Sequence, residues 1–270
     1  MSLARKTTVF VVAVLFLAAM APLARADYRE DFSKTAALKA GGTFSLENVN
    51  GSVRVSTWKE DKVEIKAVKI ARKNEKDLKE VEIQVDASEG RVAVKAVWPK
   101  FPRNVSVSVN FEVKVPEGVN VEDAGTVNGS VDVTGRYGRL TAGTTNGQVN
   151  VENASGRLEA STTNGGVKVL RFEGRVDART TNGNVRLEGL SFKDGVDAKT
   201  TNGSIHLGIE SPESLNADLN ARTTNGSISV DFPVTLQNLR QSRRVVEARI
   251  GQGGPEISLR TTNGSITIGR

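Results

Sequence analysis

The chain contains no cysteine and a single histidine, His206. The lack of cysteine excludes disulfide bonds, thiolate metal sites and lipid attachment through a cysteine. A hydrolase triad would need His206, and no Gly-x-Ser-x-Gly elbow accompanies it. Because His206 lies between Ile205 and Leu207 in an alternating segment, we predict that it faces solvent. The sequence therefore predicts no catalytic residue, no metal site and no cofactor.

Aromatic residues are also scarce, at 5% of the chain, whereas glycine occurs 26 times. This balance favours a thin, stacked core over a thick globular one. Charge of one sign does not dominate either. Without the three cations of residues 1–26, 34 basic residues face 31 acidic ones, a net charge of about +3. This excess is too small to indicate a nucleic-acid partner, and we expect none.

Residues 1–26 have the pattern of a secretory signal peptide. Arg5 and Lys6 precede an apolar run, Val9–Leu17, and small residues at its end predict cleavage before Asp27. The run is shorter than the roughly 20 residues of a membrane-spanning helix, although an uncleaved anchor is an alternative. We expect an exported protein, periplasmic or secreted to the cell surface, with no stable membrane span after cleavage.

The strongest signal in the sequence is an internal repeat. The tetrapeptide Thr-Thr-Asn-Gly occurs six times, and the unit around it reads G-R-h-x-A-x-T-T-N-G-x-h-x-h, where h is aliphatic. Weaker copies read Thr-Val-Asn-Gly and Asn-Val-Asn-Gly. The eight Asn-Gly pairs are Asn50-Gly51, Asn128-Gly129, Asn146-Gly147, Asn164-Gly165, Asn182-Gly183, Asn202-Gly203, Asn225-Gly226 and Asn263-Gly264.

Each unit contains two segments in which aliphatic and polar residues alternate, which predicts two β-strands with one buried face. Asparagine and glycine both tolerate positive φ, so we interpret each Asn-Gly pair as a structural corner between the strands. The first threonine of each unit, such as Thr162, is predicted to lie inside the corner, and the second, such as Thr163, outside.

Two all-β folds share this local pattern. Asn-Gly between alternating segments is typical of hairpins, which would form an antiparallel meander or sandwich. A β-solenoid, similar to a parallel β-helix, would instead stack successive units of about 18 residues in parallel. Recurrence of the same side chains at the same place favours the solenoid, because stacked Asn and Thr have like partners above and below. We predict that residues 27–123 form a less regular β-region continuous with the solenoid of residues 124–270.

Several segments resemble the bacterial DUF4097-type "putative adhesin" family. They are the signal peptide, the segments Val49–Ile65 and Gly251–Ile268, and the tandem TTNGxVxV units. The resemblance covers nearly the whole mature chain. It implies an exported β-solenoid with a role at the cell surface or envelope, and it supplies no catalytic residues to carry over.

Cations recur immediately before the Thr-Thr-Asn-Gly tetrapeptides. We call them the basic stripe: Arg179, Lys199, Arg222 and Arg260. Two residues earlier on the same side stand Asp177, Asp197, Asn220 and Ser258. Stacked units would place evenly spaced cations where they can bind an anionic glycan or an envelope protein. In the alternative, the acidic residues only offset repulsion between the cations, although Arg222 and Arg260 lack such an acid in their own segments.

These observations favour a non-enzymatic interaction protein with a repetitive β-face. The alternative is a carbohydrate-active solenoid enzyme with an acidic groove, which would need a concave cluster of carboxylates. No acidic pair stands out from the sequence. The last corner, Thr261–Gly264, lies close to the C-terminus, so we also predict an uncapped terminal rung that promotes self-association.

Overall fold

The computed structural model describes residues 27–99, 105–211, 214–231 and 236–269. The predicted signal peptide, residues 1–26, lies outside these ranges. The described chain forms twenty β-strands and one short 3₁₀ helix, Glu75–Glu80, which begins after the N-cap Asn74. Within the same ranges, no helix has the length and apolar character needed to cross a bilayer.

The central repeats stack in parallel and in register. They form β9 (Val131–Asn146), β10 (Val149–Asn164) and β11 (Val167–Asn182). Leu158 of β10 lies opposite Leu140 of β9 and Val176 of β11. The β-solenoid prediction is confirmed. The meander alternative is wrong for the repeats, because hairpins would pair neighbouring strands antiparallel.

The strands form one continuous sheet, and each rung of the solenoid contributes to two faces of it. Face A contains the segments that precede the Asn-Gly pairs, and face B contains the segments that follow them. A second corner joins the two segments within β10, where Asn153 has a φ of 49° and Gly156 a φ of 126°. The later strands are β12 (Val185–Ser191), β13 (Val196–Asn202), β14 (Ile205–Gly208), β15 (Ala217–Asn225), β16 (Ile228–Asp231), β17 (Leu236–Gln241), β18 (Val245–Ile250), β19 (Glu256–Asn263) and β20 (Ile266–Gly269).

The core lies between the two faces and is filled mainly by aliphatic side chains. In β10, Val149 and Val151 from face B and Leu158 and Ala160 from face A are at most 1% exposed. Burial of each valine or leucine contributes about 1.5–3 kcal/mol. Because every rung repeats this pattern, a thin core extends along the stack with few aromatic residues.

The N-terminal region extends both faces. Its strands are β1 (Tyr28–Ala37), β2 (Thr43–Glu47), β3 (Val53–Trp58), β4 (Lys62–Ala71), β5 (Glu82–Ser88), β6 (Arg91–Val97), β7 (Val107–Pro116) and β8 (Asn120–Asn128). Face B continues from β9 through β3, β7, β4 and β1. Face A continues from β9 through β8, β2, β6 and β5. The pairs β7–β4, β4–β1 and β6–β5 are antiparallel.

The last repeat lies inside the stack rather than at its end. β19 pairs in parallel with β13 on one side and β15 on the other, and β20 lies between β14 and β16. The outer edge of β15 pairs with β18, whose own partner is β17. The predicted uncapped C-terminal rung is therefore wrong. Both edges of its strands are already paired, so self-association through that rung has no free edge to use.

Candidate binding face

Threonine hydroxyls join the bends of neighbouring rungs. Thr162 is buried, and its Oγ1 donates a hydrogen bond to Gly147 O over 3.0 Å, whereas Thr163 is exposed, as predicted. The equivalent bond, between 2.8 and 3.0 Å, is made by Thr126, Thr144, Thr180, Thr200, Thr223 and Thr261. These hydroxyl groups already donate to carbonyl groups of a neighbouring bend, so their protons are not available to a ligand.

The asparagines of the bends form one continuous amide ladder. Each Nδ2 donates to the Oδ1 of the next asparagine over 2.8–2.9 Å, in the order Asn225, Asn263, Asn202, Asn182, Asn164, Asn146, Asn128 and Asn50. The expectation of positive φ is wrong for these asparagines. In the described chain, the non-glycine residues with positive φ are Asn153, Arg171 and Asn238. Asparagine occurs at these bends because its side chain bonds to those of the neighbouring rungs, not because its backbone tolerates positive φ.

The glycines of the bends are required by close packing between rungs. A Cβ added at Gly165 would overlap the carbonyl oxygen of Gly147, and one at Gly183 would overlap that of Gly165. Among the eight Asn-Gly glycines, each such Cβ would meet a backbone carbonyl of a neighbouring strand. The corners therefore hold rungs together, and ligand binding must be sought on the outward faces.

The basic stripe lies on face A. Its cations are exposed and occupy equivalent positions on adjacent strands, in the spatial order Arg179, Lys199, Arg260 and Arg222. This order differs from the sequence order, because the C-terminal β19 is inserted between β13 and β15. Neighbouring strands are about 4.8 Å apart, so the stripe crosses four rungs.

Carboxylates neutralise the two ends of the stripe. The Arg179 guanidinium lies 2.5 Å from Asp177 Oδ2 and 3.9 Å from Glu159 Oε1. At the other end, Arg222 pairs with Glu247 of β18. Arg222 has no acid beside it in its own segment, as the sequence shows, and the distant β18 supplies one instead. Burial raises the pKa of Asp177, and Arg179 partly opposes that shift.

The centre of the stripe carries uncompensated charge. In the described chain, no carboxylate oxygen lies within 4.0 Å of a side-chain nitrogen of Lys199 or Arg260. Their strands place them next to each other, between the two neutralised arginines. Beside them on the same face lie the outward hydroxyl-bearing residues Thr201 and Thr262. The pair can hold an anionic group by charge and hydrogen bonding.

His206 lies on face B and has a side chain that is 36% exposed, which agrees with its predicted orientation. Its Nε2 is 3.4 Å from Glu188 Oε1, and Arg186 contacts the same oxygen at 2.6 Å. Among the residues that the structure describes, no cluster of three or more His, Asp or Glu side chains suits a metal ion. His206 therefore lies on a polar part of the surface, next to one carboxylate.

A carboxylate pair that the sequence patterns did not predict lies in a concavity of about 550 Å³ on face A. Glu47 and Asp123 line it with Gly125 and Gly143, and Lys95 contacts Glu47 over 2.7 Å. Burial, and secondarily the Glu47 charge, raise the pKa of Asp123 from 3.8 to about 6. No sequence motif marked this pair, because the parallel pairing of β2 with β8 brings the two acids together.

A second missed feature is the arginine of the G-R-h motif. Arg139, Arg157 and Arg175 are exposed and lie in register on successive rungs of face A. The signal was present in the repeat unit itself, as an arginine at the same position in three consecutive units. We call these three residues the arginine ladder.

A family model identified as Toastrack DUF4097 matches residues 33–269. A comparison with curated proteins found no match. Several solved structures are similar over most of this chain. One from Bacteroides fragilis, described as a "putative adhesin", is 12% identical with a TM-score of 0.44, and the match covers 89% of this chain and 96% of that one.

Two further solved structures have comparable likeness. One from Parabacteroides distasonis, described as a "putative lipid binding protein", is 10% identical with a TM-score of 0.40, covering 88% of this chain and 96% of that one. Another from Clostridium sporogenes, described as a "putative cell adhesion protein", is 11% identical with a TM-score of 0.32, and the match covers 89% of this chain and 99% of that one. These descriptions apply to those proteins.

Proposed function

We propose a binding function for this chain, which belongs to the Toastrack (DUF4097) family. In this proposal it is an exported, non-enzymatic protein of the cell envelope or surface, and its face A binds a glycan that carries anionic groups. The observation that carries the proposal is the uncompensated pair Lys199 and Arg260 at the centre of the basic stripe. Export is inferred from the signal-peptide pattern of residues 1–26.

The chemistry of the pair suits carboxylate or phosphate groups on a sugar chain. The Arg260 guanidinium offers a planar fork that matches two anionic oxygens, and the Lys199 ammonium adds a mobile point charge. Outward threonines beside them supply hydroxyls that can bond to the sugar. A protein partner with a matching acidic patch is the alternative occupant, and the experiment below separates the two.

Binding of the mature chain, from Asp27 onward, to an array of neutral and acidic glycans tests the proposal. The variant Lys199→Gln with Arg260→Gln is compared with Lys39→Gln and Lys59→Gln, two exposed lysines outside the strands. We expect the stripe variant to bind acidic glycans about three- to tenfold more weakly, since two exposed charge contacts are lost. The control should bind like the parent chain.

Three outcomes would contradict the proposal. One is no retention of any acidic glycan by the parent chain, and another is an equal loss in the stripe and control variants. A third is retention only of envelope proteins that the stripe variant releases, which would favour the protein partner. Thermal unfolding of every variant checks that the fold is intact.

The enzymatic alternative is supported by one feature, the concave pair Glu47 and Asp123. A carboxyl group with a raised pKa suits a general acid, and a second carboxylate near it suits a nucleophile or base. The Lys95 contact to Glu47 argues for a structural role instead. Release of new reducing ends from a polysaccharide by the parent chain, lost in Asp123→Asn, would favour the enzyme. Binding without such release would favour the proposed function.

A further inference from the structure

The arginine ladder is a second column of positive charge on face A. Arg157 of β10 pairs in register with Arg139 of β9 and Arg175 of β11. Since neighbouring strands are about 4.8 Å apart, the three side chains leave the sheet in a straight row along the solenoid axis. All three are exposed.

The ladder carries no internal compensation. In the described part of the chain, no carboxylate lies within 4.0 Å of a guanidinium nitrogen of any of the three. Three acids lie two residues from a ladder arginine along the strands: Glu159, Glu173 and Asp177. Glu159 and Asp177 contact Arg179 of the basic stripe instead, and Glu173 makes no ion pair with Arg175. Like charges this close repel one another, so the row is unfavourable unless an anion binds it.

Among the described residues, a side-chain hydrogen bond within the protein is made by only one of the three arginines. Arg175 Nη1 donates a hydrogen bond to Asp194 O over 3.2 Å. For Arg139 and Arg157, no side-chain hydrogen bond occurs among the described residues. Each follows a glycine and precedes the buried aliphatic residue of its unit, so the outward position accepts any polar residue without strain. The presence of arginine at this position in three consecutive repeat units therefore needs another explanation.

We propose that the arginine ladder binds a linear acidic polysaccharide that lies along the solenoid axis. Guanidinium groups form paired hydrogen bonds with carboxylate and sulfate groups. A straight row of equally spaced guanidiniums matches a chain whose uronate or sulfate groups recur on successive or alternate sugars. The ligand class is therefore a regular polyanion, not a single charged small molecule.

The ladder is separate from the basic stripe. Arg175 and Arg179 lie on the same rung, four residues apart, which corresponds to about 13 Å along the strand. Between the two columns run the acidic side chains of Glu159, Asp177 and Asp197. These acids separate the two columns, so a polyanion on the ladder need not contact the stripe. The ladder therefore does not depend on the Lys199 and Arg260 pair that carries the proposed function.

A single row favours a polymer over an anionic membrane. Peripheral membrane binding usually combines cations with an apolar surface that enters the lipid. The large apolar side chains exposed in the described chain are Tyr28, Val127 and Leu239, and none belongs to this row.

The test uses the mature chain and two immobilised polyanions, polygalacturonate and heparin, with neutral dextran as the reference. Phosphatidylglycerol vesicles are the membrane sample. The ladder variant is Arg139→Gln, Arg157→Gln and Arg175→Gln. The matched control is Arg72→Gln, Lys73→Gln and Lys76→Gln, three exposed cations with the same total charge that are not stacked on a sheet. Thermal unfolding verifies the fold of both.

We expect the ladder variant to raise Kd for at least one polyanion about tenfold or more, because three charge-assisted contacts are lost. The control variant should change Kd less than about twofold. Added salt should reduce the difference in Kd between the parent chain and the ladder variant. Equal weakening in both variants, or unchanged binding in the ladder variant, would overturn the proposal. So would binding of the parent chain only to phosphatidylglycerol vesicles, which would assign the row to a membrane.

The Lys199→Gln and Arg260→Gln variant is measured beside the ladder variant. Loss in the ladder variant alone supports the ladder and counts against the basic stripe. Loss of polyanion binding in the stripe variant alone supports the basic stripe and counts against the ladder. Loss in both, with the control unchanged, supports both sites.

Discussion

Asn164 donates a hydrogen bond from Nδ2 to Oδ1 of Asn146, one rung away, over 2.9 Å. Its own Oδ1 accepts the equivalent bond from Asn182. An asparagine side chain has both a donor and an acceptor, so each member of the ladder can bond in both directions. Aspartate cannot, because its ionised carboxylate only accepts. This relationship explains why the bends retain asparagine although their φ values would permit other residues.

Replacing Asn164 with alanine removes two ladder bonds. We expect a loss of about 1–2 kcal/mol in the free energy of unfolding, since each bond contributes roughly 1 kcal/mol. The melting temperature should fall by about 2–8 °C. Asn164→Asp should be at least as destabilising at pH 7. The adjacent Thr163→Ala is the control, and an equal shift there would show that the ladder contributes nothing.

Gly165→Ala tests the close approach of stacked bends. The new methyl group would overlap the Gly147 carbonyl oxygen, so we expect a loss of more than about 2 kcal/mol. Gly143→Ala is the control, because its Cβ would meet only Ser161, the Oγ atom at 3.4 Å and the carbonyl oxygen at 3.6 Å. Urea unfolding of the two variants gives the comparison. Similar stability of both would mean that the bends can move apart.

A chain that ends at Pro255 lacks β19 and β20. It loses Ile257, Leu259, Ile266 and Ile268, which are fully buried, and burial of each contributes about 1.5–3 kcal/mol. Facing edges of β13 and β15 also lose their partner. We expect rapid amide hydrogen exchange in β13–β16 and a sharply lower melting temperature. A truncated chain with unchanged exchange would contradict the interior position of the last rung.

Asp123 should make stability depend on pH. Its pKa in the folded chain, about 6, lies above the unfolded value of 3.8, so the folded state binds the proton more tightly. The carboxyl group therefore destabilises the fold above pH 6, and this effect is lost as the pH falls towards 4. The groups facing it include Glu47, whose other contact is Lys95.

Asp123→Asn should accordingly be more stable than the parent chain at pH 7.5, and the difference should vanish near pH 4. Unfolding in urea at several pH values measures it. Glu47→Gln should lower the pKa of Asp123, as followed by NMR titration. An Asp123→Asn advantage that is independent of pH would show that titration of this carboxyl group is not its cause.

The sequence of the repeat unit was sufficient to predict the structure of one rung, two strands joined by a bend. Its period, its alternating aliphatic residues and its Asn-Gly pairs predicted two strands and a bend, because strand faces alternate with a period of two and identical neighbours stack well. The outward position of Thr163 and the inward position of Thr162 followed from the same alternation. The basic stripe also followed, since stacked units place equivalent positions side by side.

Tertiary structure alone decided the order of the rungs and the pairing of charges. No local pattern in residues 256–269 distinguishes an interior rung from a terminal one, because each is an equally good strand. The pairings of Arg222 with Glu247 and of Glu47 with Asp123 join segments far apart in sequence. The order of the strands determines which charged side chains lie next to each other. That order depends on packing between segments distant in sequence, which local residue patterns cannot predict.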